Sequence, residues 1–365
     1  MNRTRLLREL GQSLWLDNIT RELLDNGTLR RYIDEFSITG LTSNPTIFEH
    51  AIGNTGVYDA SIRDKAAGGE SGEALFVELA LEDLRRAADL FRPAFDATGG
   101  VDGWVSMELS PLLADDTAGS IAAALRIHRQ AGRVNLYVKI PGTPAGVGAI
   151  EESIFAGVPI NVTLLFSREQ YLAAAEAYLR GIERRFAAGR DPRVGSVASL
   201  FVSRWDRAVS GNIPDELRNR LGIAIAGRTY RAYRELLASP RWRKLAAAGA
   251  RPQRLLWAST GTKDPETSET LYLEALAAPD TIDTIPEKTL LAFAQRGAVA
   301  GAMRDDGGDA ESVLAHFAQA GVEADALAVK LQHEGAQAFV KSWHTLMQCI
   351  AGKSKTLAAA PQVSG

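Results

Sequence analysis

Leu136-Tyr137-Val138-Lys139-Ile140-Pro141, and after a glycine-punctuated segment Val158-Pro159-Ile160-Asn161-Val162-Thr163-Leu164-Leu165-Phe166, are the two stretches that decide the fold. Each is a short apolar, β-branched run followed by a longer segment with helical spacing, which is how consecutive βα units of a parallel sheet read. Working outward, the same signature recurs at Ser13–Ile19, Gly40–Pro45, Trp104–Ser110, Val197–Arg204, Arg254–Thr260 and Thr281–Pro286, giving eight runs. Eight units favour a closed barrel over an open sheet, so the chain is expected to be α/β, a single (β/α)8 TIM barrel.

The segments between the runs carry helix patterns. Thr20–Phe36 places Leu23, Leu24, Leu29 and Ile33 on one side, and Ser167–Ala188 opens with a capping-box arrangement in which Gln170 can answer Ser167. Thr46–Ala97 is long enough for two helices around Gly68-Gly69, and Pro286–Ile350 for several more. Additional helices after strand 2 and at the C-terminus therefore explain the excess over the roughly 250 residues of a plain barrel. No Pro-, Ser- or Gly-rich linker divides the chain, so residues 1–352 read as one catalytic domain and 353–365, small and polar, as a flexible tail.

Composition narrows the function. Lys plus Arg total 41 and Asp plus Glu 44, a net charge of −3, so no basic field exists to draw nucleic acid or anionic lipid. One cysteine, Cys349, makes neither an internal disulfide nor a zinc site and fits a reducing compartment, with the cytoplasm expected. There is no signal-type apolar stretch and no run of about 18 apolar residues to span a membrane. His50, His128, His316, His333 and His344 lack metal-ligand spacing, and Asp305-Asp306-Gly307-Gly308-Asp309 lacks the calcium-loop register. Gly352-Lys353-Ser354 resembles the end of a phosphate loop, but no strand leads into it. Gly142, Gly146 and Gly148 have the wrong spacing for a dinucleotide fingerprint and fit a turn and helix start that admit a ligand. Neither metal nor cofactor is implied. The oligomeric state is not fixed by these features, and a homo-oligomer is compatible with them.

In a barrel strand alternate side chains point inward, and catalytic groups come from the C-terminal ends. Polar residues late in apolar runs are therefore the candidates. Asp17 closes the first run; Ser106, Glu108 and Ser110 share a face, as do Tyr137 and Lys139, Asn161 and Thr163, and Ser199, Phe201 and Ser203. Lys139 stands out, because an ammonium between Val138 and Ile140 must reach water, pair with a carboxylate or lose its charge. An ordinary lysine is only about 0.04% neutral at pH 7, so a nucleophilic amine needs its surroundings to favour the neutral form by on the order of 4 kcal/mol. Taken singly, Lys139 is also a lysine snorkelling from a strand end, Asp17 a cap, Thr163 a strand former and Asn44 a turn residue before Pro45. Glu108, between Met107 and Leu109, needs a partner in either case. Arg204, Ser259 and Lys263 stand near later strand ends as anion-binding donors, or as solvated surface groups.

Taken in order, Leu16-Asp17, Thr42-Ser43-Asn44-Pro45, Glu108, Val138-Lys139-Ile140-Pro141-Gly142-Thr143, Asn161-Val162-Thr163-Leu164-Leu165-Phe166 and Ser199-Leu200-Phe201-Val202-Ser203-Arg204 resemble the transaldolase family, in its longer bacterial branch. Trp257-Ala258-Ser259-Thr260-Gly261-Thr262-Lys263 and Asp283-Thr284-Ile285-Pro286-Glu287-Lys288-Thr289-Leu290 extend the likeness over most of the barrel. The resemblance implies a metal-free Schiff-base transfer of a dihydroxyacetone unit from sedoheptulose 7-phosphate to glyceraldehyde 3-phosphate, in the pentose phosphate pathway. It implies Lys139 as the nucleophile on the ketose C2 carbonyl and Asp17 as the group that takes and returns the C4 hydroxyl proton. Glu108 and Thr163 would hold a proton-relaying water, Thr42, Asn44 and Asn161 would orient sugar hydroxyls, and Arg204 with Ser199 and Ser259 would hold the phosphate. Where other branches continue with Phe and a phosphate-binding Arg after the segment matching Ala258-Ser259, this chain has Thr260-Gly261, and Lys263 is the substitute cation. The same family includes fructose 6-phosphate aldolase, which resembles Gln and Tyr where this chain has Glu108 and Phe201. A sugar-phosphate-binding barrel without turnover is the reading from a different class.

Overall fold

In a computed structural model, which describes residues 3–262 and 264–359, eight parallel strands close into a barrel in sequence order. They are β1 (Ser13–Leu16), β2 (Ile38–Leu41), β3 (Val105–Glu108), β4 (Leu136–Pro141), β5 (Ile160–Leu165), β6 (Ser196–Phe201), β7 (Gln253–Ala258) and β8 (Ile282–Ile285). The eighth strand, the faintest in the sequence, closes the ring by pairing with both β7 and β1. Five of the eight strands are buried at every residue and β4 at all but its last, as near-continuous apolar runs require when helices cover the outside.

Inside, aromatic side chains fill the N-terminal end. Trp104 stacks on Tyr137 at 4.0 Å between ring centroids, and Trp15 donates its indole N–H to Asp102 at 2.8 Å. That floor is solid, so open space is left at the C-terminal ends of the strands.

The helical shell departs from the sequence reading in three places. Thr20–Phe36 is two helices, Arg21–Asp25 and Thr28–Phe36, because Gly27 between them takes a left-handed φ of 75°. The insertion after β2 holds three helices, Pro45–Asn54, Asp59–Ala67 and Gly72–Ala97, rather than two. Its second and third are tied to the helix after β1 through Arg21, which bonds Ser61, Asp83 and Glu82, while Tyr58 donates to the other Asp83 oxygen. The third departure is the first part of the expected tail: residues 353–359 are helical, and 360–365 lie outside the described residues. The last helix runs from Ala324 to Ala359, and Lys353 on it donates to Asp59 and to the Thr55 carbonyl. The ion pair and the helical hydrogen bonds order a segment whose small, polar composition read as loose.

The cap of Arg168–Ala187 also differs in detail: Ser167 accepts from the Gln170 N–H as expected, but Gln170 Oε1 accepts from Phe166 N–H, one residue upstream. Among the described residues no helix is long and apolar enough to cross a membrane.

Candidate active site

A cavity opens at the C-terminal ends of the strands, lined by Asp17, Thr42, Asn44, Lys139, Thr163, Ser199, Phe201, Arg204 and Ser259 among others. Eight of the eleven residues put forward from sequence, Asn44 among them, thus share one space, although they come from six strand ends spread over some 240 residues of chain. Glu108 and Asn161 lie just beneath it, and Lys263 falls outside the described residues.

Lys139 is 6% exposed. Register places it opposite Glu108 on β3 and Asn161 on β5, so all three reach the same layer of the barrel. Its ammonium donates to Glu108 Oε2 at 3.0 Å and to the Ser43 carbonyl at 3.0 Å, leaving a third N–H for the cavity. Burial pushes the Glu108 carboxyl above the usual carboxylate range, Lys139 pulls it back, and Asp17 adds to the rise. Of the three fates open to a lysine in mid-strand, reaching water, meeting a carboxylate or losing its charge, pairing with Glu108 is the one observed.

Asp17 is held from β2. Thr42 Oγ1 donates to Asp17 Oδ1 at 2.9 Å and shares a 2.6 Å hydrogen bond with Thr284 Oγ1, so β8, β2 and β1 are joined by a chain of hydroxyls ending on the carboxylate. Thr163 is fully buried, and its hydroxyl has no hydrogen-bond partner among the described residues. An unsatisfied hydroxyl on a cavity wall is set to bond whatever enters.

Three polar residues do different work from that expected. Asn44 caps the helix Pro45–Asn54, its Oδ1 accepting the Ile47 N–H at 3.1 Å, which leaves only the amide N–H groups for the cavity. Asn161 does not line the cavity; it accepts from Ser199 Oγ at 2.7 Å and donates to Ser106 Oγ at 3.1 Å. Ser199 therefore spends its proton on Asn161 rather than on an anion. Gly142, expected to admit a ligand, instead makes room for Leu165, whose Cδ2 would lie 2.3 Å from a Cβ there.

Arg204 forms the opposite wall. Its guanidinium lies over the rings of Phe201 and Phe339, at 5.1 Å and 5.9 Å, and makes no ion pair or hydrogen bond with any described residue. Burial is the main influence that lowers its pKa, and Arg207 is the next. Glu108 and Glu334 act on it only from a distance, and a cation this enclosed with no carboxylate in contact is suited to receive an anion brought by a ligand. Ser259 sits beside it with a positive φ of 55°, its hydroxyl 3.0 Å from Ser203 Oγ.

Sequence reasoning missed Thr284 and Phe339. Thr284 carries the signal that found the others, a polar residue late in an apolar run, but its run was the faintest. Phe339 has no local signal, because it arrives from the C-terminal helix and ordinary helical spacing makes it a core residue.

A barrel with a buried lysine–carboxylate pair beneath an arginine-walled cavity defines a class, the lysine-dependent enzymes of carbonyl chemistry. Comparison with known proteins gives the family. The profile described as Transaldolase/Fructose-6-phosphate aldolase matches residues 14–350. A protein of Parafrankia sp. (strain EAN1pec) named Transaldolase is 43% identical over 354 residues, covering 94% of this chain and 96% of its own. Another so named, from Thiobacillus denitrificans, is 42% identical over 358 residues, 96% of this chain and 100% of its own. A third, from Saccharopolyspora erythraea, is 42% identical over 351 residues, 94% and 95% of the two chains. The chain belongs to the transaldolase/fructose-6-phosphate aldolase family, and its function is that of a transaldolase, a transferase of Schiff-base type.

Proposed function

We propose that Lys139 is the Schiff-base lysine of a dihydroxyacetone transfer from sedoheptulose 7-phosphate to glyceraldehyde 3-phosphate, yielding erythrose 4-phosphate and fructose 6-phosphate. The observation that carries this reading is the 3.0 Å contact of Lys139 Nζ with Glu108 Oε2 on the floor of a cavity that has Asp17 on one wall and Arg204 on another.

Glu108, pushed toward its protonated form by burial, accepts the proton Lys139 must lose. The free amine adds to the ketose C2 carbonyl. Glu108 then returns that proton to the carbinolamine hydroxyl, which leaves as water, and the unpartnered Thr163 hydroxyl holds the departing oxygen. With the iminium as electron sink, Asp17 takes the C4 hydroxyl proton, the C3–C4 bond breaks, and the first aldose departs. The enamine attacks the acceptor aldehyde, Asp17 gives the proton back to the new hydroxyl, and hydrolysis frees Lys139. Thr42 keeps the Asp17 oxygen in place throughout.

Arg204 grips the phosphate, its planar fork suiting that group better than a point charge. Asn44 contributes its amide N–H groups to sugar hydroxyls, and Asn161 acts from below by fixing Ser199 and Ser106. Sugar phosphates as substrates and a single cysteine together favour the cytoplasm as the place of action.

Borohydride reduction in the presence of fructose 6-phosphate tests the assignment. A mass increase of one reduced dihydroxyacetone adduct, mapped to the Lys139 peptide and absent from Lys139→Met, is expected. An adduct on another lysine, or turnover retained by Lys139→Met, overturns it.

A further inference from the structure

Three residues of the C-terminal helix Ala324–Ala359 reach the rim of the barrel from a single face, at positions 332, 335 and 339. Gln332 Nε2 donates to the Gly142 carbonyl at 3.0 Å and to the Leu164 carbonyl at 2.9 Å, so one amide pins the helix to the ends of both β4 and β5. The Leu164 end is not ordinary strand: its φ is 58° and the β5–β6 register slips between Val162 and Leu165. A branched residue held in the left-handed region needs outside support, and the Gln332 amide supplies it at the residue next to Thr163.

One turn on, Gly335 is buried where the helix crosses Arg204. A Cβ at that position would stand 3.0 Å from Arg204 Nη1 and 2.9 Å from Leu164 Cδ2, so the absence of a side chain is what lets the guanidinium lie against the helix. A further turn on, the Phe339 ring faces the same guanidinium and also lines the cavity.

We propose that this helix sets the enzyme's grip on phosphorylated sugars, with Gly335 and Phe339 as positioning residues that fix where the Arg204 guanidinium stands. The proposal rests on the reading of Arg204 as the phosphate receptor. Arg204 makes no hydrogen bond or ion pair that would fix it otherwise, so its direction is decided by shape and by the two aromatic faces.

Gly335→Ala is the discriminating variant. Alanine is the better helix former, so the helix itself should not weaken. The atoms it meets are the far ends of two flexible side chains, which must turn aside. The KM for fructose 6-phosphate and the inhibition constant of inorganic phosphate should both rise by about tenfold, since displacement of a binding group by a fraction of an ångström is felt strongly. Turnover at saturation should change by less than about twofold, because the reacting carbons lie at Lys139. Gly352→Ala makes the same substitution in the same helix where a Cβ meets nothing within 4 Å, and should change neither constant. Phe339→Leu, which removes an aromatic face, should raise both constants in the same direction and serves if Gly335→Ala does not fold. Arg204→Gln separates the two levels. Unchanged constants in Arg204→Gln overturn the phosphate reading and the proposal with it. Raised constants in Arg204→Gln with unchanged ones in Gly335→Ala and Phe339→Leu overturn the proposal alone.

Discussion

Glu108 Oε2 stands 3.0 Å from Lys139 Nζ because the two residues are partners across β3 and β4, and both side chains are more than 90% buried. A pair so enclosed gains little from net charge attraction once desolvation is subtracted, and removing one member is costly. Its value lies in where a proton can go. Burial raises the affinity of Glu108 for a proton, and the nearest group with one to give is the Lys139 ammonium.

Glu108→Gln should therefore slow adduct formation in a single turnover by about 10²- to 10⁴-fold, the usual contribution of a positioned acid–base group. Equilibrium binding of inorganic phosphate should be nearly unaffected, because Arg204 is untouched. Rapid-quench measurement of the reduced adduct checks the first statement and competition binding the second; wild-type adduct rates in the variant contradict the proton role.

Thr42→Val removes the hydroxyl between Thr284 and Asp17 while conserving volume. The buried hydroxyl of Thr284 then loses its partner, and Asp17 loses the donor that orients it. The C3–C4 cleavage step should fall by about tenfold with adduct formation unchanged, since Asp17 acts only after the iminium exists. Comparing adduct yield with aldose release in one experiment separates the two steps.

Asp283 predicts a pH dependence of stability. It is fully buried on β8, bonds Thr260 through one oxygen and has no partner among the described residues for the other, and burial pushes it up to about 8. The folded state thus keeps a proton that the unfolded chain releases near pH 4. Stability should be highest with respect to this group below about pH 4 and should decline as pH rises toward about 8, by on the order of a few kcal/mol. Asp283→Asn should cancel that decline, so chemical denaturation of the two proteins should agree near pH 4 and diverge in favour of Asn near pH 8. Parallel curves would refute it.

Asp83→Ala addresses the insertion. Asp83 is 0% exposed and receives Arg21 and Tyr58, so its removal strands a guanidinium and a phenol. A loss of about 3 to 5 kcal/mol in unfolding free energy is expected. Because Arg21 opens the helix after β1, thermal melting should also be accompanied by weaker adduct formation at temperatures where the fold persists. An unchanged melting temperature would show that the cluster is dispensable.

The barrel was legible because βα units repeat and each strand buries both faces, which leaves a period of apolar runs that no helix pattern imitates. Asp17, Lys139 and Thr163 were legible for the converse reason, a polar side chain late in such a run having nowhere to go but the open end, whereas Thr42 was singled out only by the family resemblance. What escaped depends on partners remote in sequence. The hydroxyl proton of Ser199 goes to Asn161, and the Asn44 oxygen accepts the Ile47 N–H so that only its amide N–H groups face the cavity, which only the folded positions of a neighbouring strand and of a helix start reveal. The helix break at Gly27 and the continuation past residue 353 are choices made by one left-handed φ and one Lys353–Asp59 pair against the local pattern. Thr284 and Phe339 complete the site from its last strand and last helix.

The lateness of Phe339 bears on how the enzyme comes into being. Chains emerge from the ribosome N-terminus first, and domains start folding as they do. Every strand of the barrel is out before the helix that carries Gln332, Gly335 and Phe339. All eight strands, and with them the Lys139–Glu108 pair, therefore precede the residues that pack on Arg204 from the far side, so the surroundings of that guanidinium are completed only after the barrel's own chain has been made.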